Sequence, residues 1–290
     1  MRLLLFAIIM ILLNAAPAEA AVNCVPRSDG VDFGTTVGME EDVVSSVRLH
    51  CTGNGNADYV LILSTGVSGT YAQRTMLNGS DSLPYNLFVN PARTQILGDG
   101  NGGSVTASGE ISMGNSDIKT VIVSLYAKLL NQTLLRAGTY TDTIIVNLIV
   151  ENNITTTSFP VSAVVRPNCT INATGLAFGS YSGEQLNAQS QISLTCTNGL
   201  PWNVGLNAGT YPGATVTTRR MTGPGNSTLA YSLYRDPART LNWGASVGTD
   251  TVSGAGSGLL QTVNVYGQVP PSQSALPGGY KDTIIATVTF

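Results

Sequence analysis

Apolar and polar positions alternate in short bursts along this chain. Runs such as SSVRLHC (45–51), DYVLILS (58–64), YNLFV (85–89), KTVIVSLYA (119–127) and DTIIVNLIV (142–150) carry an apolar residue at every second place or nearly so. Clusters of Gly, Asn and Asp separate them. A period of two marks a strand with one buried face. VIVSLYAKLL also fits a helical period, but its β-branched start argues against a helix. About six such strands in each half of the chain predict an immunoglobulin-like β-sandwich.

The halves repeat each other. NCVPRSDGVDFG (23–34) matches NCTINATGLAFG (168–179), and VRLHCTGN matches ISLTCTNG. Pro91-Ala92-Arg93-Thr94 falls on Pro237-Ala238-Arg239-Thr240, and AGTYTDTIIVNLIV falls on GGYKDTIIATVTF. Two tandem domains of one all-β fold follow, residues 21–165 and 166–290. The cysteines obey the same repeat. Cys24 to Cys51 and Cys169 to Cys196 are each 27 residues apart, which predicts one disulfide per domain. A zinc site is disfavoured, because no CxxC pair exists and His50 is the only histidine.

Residues 1–20 read as a secretory signal peptide: Arg2, an apolar run from Leu3 to Leu13, and Ala18-Glu19-Ala20 as a cleavage site. Eleven apolar residues are few for a membrane span. An exported chain meets oxidising conditions, where disulfides persist. Charged residues are only 11% of the chain, and the net charge is −3 with no basic block, so nucleic acid is not expected as a partner. No phosphate-binding loop is present, Glu40-Glu41-Asp42 reads as a solvated turn, and one histidine leaves little for triad chemistry. The expectation is a protein that is not an enzyme and needs no cofactor.

The ends of the two copies differ. The first copy is followed by a further alternating stretch, residues 154–165, in which Phe159, Val161, Ala163 and Val165 point one way. This stretch is expected to close the first domain as its last strand, with a local break at Pro160. In the second copy the strand carrying Ile284, Ala286, Val288 and Phe290 runs to the last residue, with nothing after it to cover that face. The second domain is therefore expected to lack its last strand and to accept one from another molecule by β-strand addition.

The NC…FG…C opening, the PART segment and the YxDTI closing strand resemble spore coat protein U domains, the building blocks of archaic chaperone–usher pili of the Csu type. The resemblance covers both repeats. It implies a periplasmic chaperone that lends a strand to the open domain, an outer-membrane usher that exchanges it, and a next pilin subunit that donates the lasting one. A two-domain subunit without a free donor segment resembles the tip adhesin. The resemblance also implies that the chaperone docks the Phe290 carboxylate, while the residue itself reads first as a core residue, a role compatible with docking.

A tip adhesin touches a surface or receptor ligand at its outer pole. Three turns are expected there: 52–58 with Asn54, 151–153 with Asn152, and the Gly-rich excursion 97–117 with Val105, Ile111 and Met113. Apolar side chains on an exposed loop would supply contact area. A structural coat or matrix protein that polymerises by the same edge is the other reading.

Overall fold

A computed structural model describes residues 22–114, 117–132 and 134–290. Residues 1–20, the segment expected to be a signal peptide, lie outside the described residues. The described chain is all β apart from two single-turn 3₁₀ segments.

The first domain has ten strands: β1 Asn23–Arg27, β2 Val31–Thr36, β3 Glu41–Thr52, β4 Asn56–Leu63, β5 Arg74–Asn78, β6 Asp81–Phe88, β7 Ala107–Ser112, β8 Ile118–Leu129, β9 Gly138–Val150 and β10 Asn153–Val165. One layer runs β1-β3-β8-β6-β5. The other holds β7-β4-β9-β10-β2, and among the described residues the two ladders meet at one pair, Leu77 and Thr141. The inner faces form one core, from Val22 to Val165. The expectation of about six strands missed the short elements β1, β2, β5 and β7, which are five or six residues long and interrupted by Pro, Gly or Asn. Glu41 and Asp42 open a strand rather than a turn, and Asp42 pairs with Arg93 at 3.2 Å.

The second domain has eight strands: β11 Cys169–Ala173, β12 Leu186–Cys196, β13 Pro201–Leu206, β14 Arg219–Thr222, β15 Thr228–Tyr234, β16 Val252–Ala255, β17 Leu260–Val269 and β18 Ala286–Thr289. Their order is β11-β12-β17-β15-β14 in one layer and β16-β13-β18 in the other. Strand for strand, this is the first domain without β10 and β2. Val31–Thr36 corresponds to residues 176–181, which form no strand. In the first domain β2 is hydrogen-bonded only to β10, so the loss of one removes the ladder of the other.

Repeated anchors hold both copies. Cys24 is bonded to Cys51 and Cys169 to Cys196. In the Pro-Ala-Arg-Thr turns, Arg93 and Arg239 sit at φ 53° and 59°, and each guanidinium Nε donates to a neighbouring strand, Ala127 O and Gly267 O, both at 3.1 Å. Between domains, Asn198 donates its N–H to Leu135 O (3.2 Å) and its side-chain amide to Leu134 O (3.0 Å).

β10 pairs antiparallel with β9 along its whole length, straight through Pro160 opposite Thr143. The expected break at Pro160 is absent from this ladder. β2 joins only from Val161 onward, so Pro160 stands at an edge on that side, where a residue without N–H is tolerated. The one irregularity lies between Ser162 and Val164. Gly30, at φ 95°, lets the chain pass: a Cβ there would lie 2.5 Å from Pro160 O.

Candidate functional site: an uncovered groove

In the first domain β10 fills the slot between β9 and β2. Phe159 stands opposite Ile144, Val161 opposite Asp142 and Val31, Ala163 opposite Tyr140, and Val165 opposite Gly138 and Thr36. All four of these β10 side chains are buried. The second domain has both flanks of the slot, residues 278–290 and 176–181, but no described strand lies between them. What remains is a groove. Ile192, Met221 and Leu233 form its floor, and Leu176, Phe178 and Ile284 form its walls, around a cavity of 290 Å³. It continues into a wider trough of 700 Å³ bordered by Tyr181, Leu186 and Tyr280.

Equivalent residues show what the missing strand does. Ile144, Val146, Leu148 and Val150 are buried, whereas Ile284, Ala286 and Val288 are half-buried. β9 is 13 residues long and β18 only 4, because a strand with one ladder partner frays sooner than one with two. Phe290 is 54% exposed and lies just past β18, so the reading of Phe290 as a core residue is corrected. Its counterpart Val150 turns directly into β10 and is covered; Phe290 has no such neighbour among the described residues.

A polar cluster stiffens the groove at its centre. The Tyr231 hydroxyl donates to Asp282 Oδ2 at 2.7 Å, as Tyr85 does to Asp142 at 2.6 Å in the first domain. Burial, with the Asp282 hydrogen bond added, pushes the Tyr231 phenol far above its ordinary pKa. Burial alone would raise the Asp282 carboxyl. Hydrogen bonds from Thr210 N–H and Oγ1, Tyr231 and Thr283 N–H together hold it below the usual carboxylate value. Behind them the buried Arg219 guanidinium spans Asn207 O (2.9 Å) and Trp243 O (2.7 Å), matching Arg74 on Ser64 O and Leu97 O. The sequence reading missed Arg74 and Arg219, although the repeat places Arg74-x-Met76 on Arg219-x-Met221.

The other candidate region divides. Gly53 N–H donates to Asp117 O, Met113 N–H to Gly55 O, and Glu151 N–H to Asp58 O. These bonds bring the turns of Asn54 and Asn152 together at the far pole, and both residues are exposed. Val105 is elsewhere: it bonds Gly98, which contacts Leu63 at the other end of β4, roughly 25 Å away by strand rise. The exposure expected for Ile111 and Met113 is wrong. They are 0% and 3% exposed, because residues 107–112 pair with β4 and turn Ile111 inward, with Met113 following the same alternation. The large apolar residues that do stand exposed beside the polar turns are Ile118 (70%) and Ile154 (66%).

Two stretches of the chain, 10–147 and 155–287, match the Spore Coat Protein U domain. The chain belongs to that family. A relative within reach of sequence comparison is Protein U of Myxococcus xanthus, 36% identical over 128 residues, covering 40% of this chain and 71% of that protein. Among solved structures, the CsuC–CsuE chaperone–tip adhesion subunit pre-assembly complex from archaic chaperone–usher Csu pili of Acinetobacter baumannii contains a chain of the same fold. That likeness has a TM-score of 0.54 at 18% identity, over 92% of this chain and 100% of the other. The CupB6 tip adhesin of Pseudomonas aeruginosa also aligns, with a TM-score of 0.42, 13% identity and coverage of 93% and 95%. The second Spore Coat Protein U stretch begins at residue 155, inside β10, yet β10 packs into the first domain. In this member of the family the sequence unit and the packed unit are thus offset by one strand.

Proposed function

We propose that this chain is the tip subunit of a chaperone–usher pilus, exported through the periplasm to the cell surface. On this reading, residues 21–165 form the adhesive domain, sealed in cis by β10, and residues 166–290 form the pilin domain that joins the filament. A periplasmic chaperone holds the open groove, with the exposed Phe290 as a docking point. An outer-membrane usher then directs its exchange for the strand of the next pilin subunit.

One observation carries the reading: the slot that β10 fills in the first domain is empty in the second. Each large apolar side chain covered there contributes about 1.5–3 kcal/mol, which gives a strand from outside a strong hold. Among the described residues the only segment of donor type is β10, and it is already engaged within its own chain. The likeness in fold to the tip subunit of the Csu complex supports the terminal position.

Attachment to surfaces, and the biofilm formation that follows from it, fall to the far pole around Asn54, Asn152, Ile118 and Ile154. The identity with Protein U favours a second reading, a coat or matrix protein that polymerises through the same groove without a ligand. Immunogold labelling separates the two: gold confined to filament ends supports the tip, and gold spread along a filament or layer supports the coat. The groove itself is tested by producing the mature chain with and without a candidate periplasmic chaperone. Recovery as a one-to-one complex is expected; a stable, fully soluble monomer of the chain alone would remove the basis of both readings.

A further inference from the structure

The two grooves share a plan but not a shape. The repeat sets Ala286 where the first domain has Val146, and Val288 where it has Leu148. It sets Ala275 where the first domain has Leu135. The last equivalence is anchored by Tyr140 and Tyr280, whose hydroxyls each donate to the carbonyl four residues earlier, Arg136 O at 2.9 Å and Leu276 O at 3.0 Å. Gly138 and Gly278 match in backbone as well, at φ 148° and 144°.

These three positions line the path of the inserted strand. In the first domain Val146 lies opposite Thr157 of β10 and Leu148 opposite Thr155, while Leu135 and Val165 border one cleft. In the second domain the same walls recede by two, one and three carbons in turn. The trough of 700 Å³ opens where Ala275 stands, next to Gly278. Tyr181, in place of Thr36, does not close it, since its hydroxyl is held by Pro270 O and Gln273 N–H. A strand like β10, laid here in the same register, would leave space beneath its Thr157 and beside its Val165. Space without atoms forfeits contact.

We infer that the second groove discriminates against the chain's own β10 and selects a partner strand of different chemistry. That strand runs antiparallel to residues 278–290. It carries a bulky aliphatic side chain where β10 has Thr157 and an aromatic-sized apolar side chain where β10 has Val165. The central large residue is common to both, because Ile144 and Ile284 are identical. The inference rests on the groove being a strand acceptor, and its consequence is that copies of this chain do not fill one another.

The test uses the full mature chain, refolded with labelled peptides and read by fluorescence anisotropy. One peptide is residues 153–165 as they stand; the other carries Thr157→Leu and Val165→Phe. The second is expected to bind roughly tenfold tighter or more, as a few additional buried methylenes would give. Ala286→Val in the protein refills the wall and should cut that preference. Equal binding, or tighter binding of the natural sequence, overturns the selectivity and leaves the acceptor reading standing. Failure of both peptides, with refolding no better in their presence than without, overturns the acceptor reading itself.

Discussion

Consider Ile144→Ala and, separately, Ile284→Ala. The two residues are identical and occupy the same place in the repeat. They differ in what covers them. Ile144 is fully buried opposite Phe159, and truncating such a residue costs about 2–5 kcal/mol, the lost transfer energy plus the cavity left behind. For a domain of this size that lowers the melting point by roughly 5–15 °C. Ile284 is half-buried on the wall of an open 290 Å³ cavity, so part of the packing that Ile144 enjoys is missing before any mutation. Its truncation in the free chain should cost about 1 kcal/mol or less. Once a chaperone or donor peptide occupies the groove, that cost should rise into the range of Ile144. The assay is urea unfolding of the full chain, with two transitions fitted separately, since a two-domain chain has no single unfolding free energy. Equal costs at the two sites without a donor, or no increase at Ile284 on adding one, would refute the argument that covering by a strand is what separates the domains.

Met113→Asp buries a carboxylate in the first domain, so it should destabilise that domain by more than about 3 kcal/mol and deplete surface pili; normal melting would contradict its buried position. Ile118→Asp with Ile154→Asp, both exposed, should leave melting within about 0.5 kcal/mol of the parent and weaken attachment, read by adhesion counts on assembled filaments. Asp282 has its pKa lowered on folding, so the stability it contributes is present above the ordinary carboxylate value near pH ~4 and is lost as pH falls through the lower, folded value. The second domain's urea midpoint should therefore drop below pH ~4, and Asp282→Asn should shrink that drop while lowering stability at neutral pH. Cys24→Ala with Cys51→Ala opens a 27-residue separation and should cost the first domain about 3–4 kcal/mol, measured against the parent under non-reducing conditions.

Long strands were legible because one face of each is buried, so that β3, β4, β8 and β9 declare themselves by alternation alone. The cysteine pairing was legible from equal spacing. The stretch 97–117 was not, and glycine is the reason. A glycine-rich run reads as loop when glycine is taken only as a source of backbone freedom. Gly109 is there for another cause: a Cβ would come within 2.9 Å of the Tyr59 ring, which lies across the strand. Gly254 does the same beneath Trp202, where a Cβ would come within 2.4 Å. Here glycine makes room for an aromatic ring on a paired strand, and Ile111 keeps its place in the core.

That two causes of glycine look alike in composition is a general limit on reading one copy of a domain. A second copy lifts part of it. Tyr59 over Gly109 and Trp202 over Gly254 change the ring but keep the gap, which no loop would be required to do. The same logic exposes the missing strand. An uncovered face on the final strand is ambiguous by itself, because surface strands with a half-apolar face are common. Set beside β9, whose inward residues Ile144, Val146, Leu148 and Val150 are all buried with β10 paired alongside, the half-covered Ile284, Ala286 and Val288 mark a vacancy of defined length and direction. The first domain thus acts as the chain's own control. It specifies that the absent piece is an extended strand, antiparallel to residues 278–290. Wherever its walls differ from those of the second domain, it also specifies how the absent strand must differ from β10.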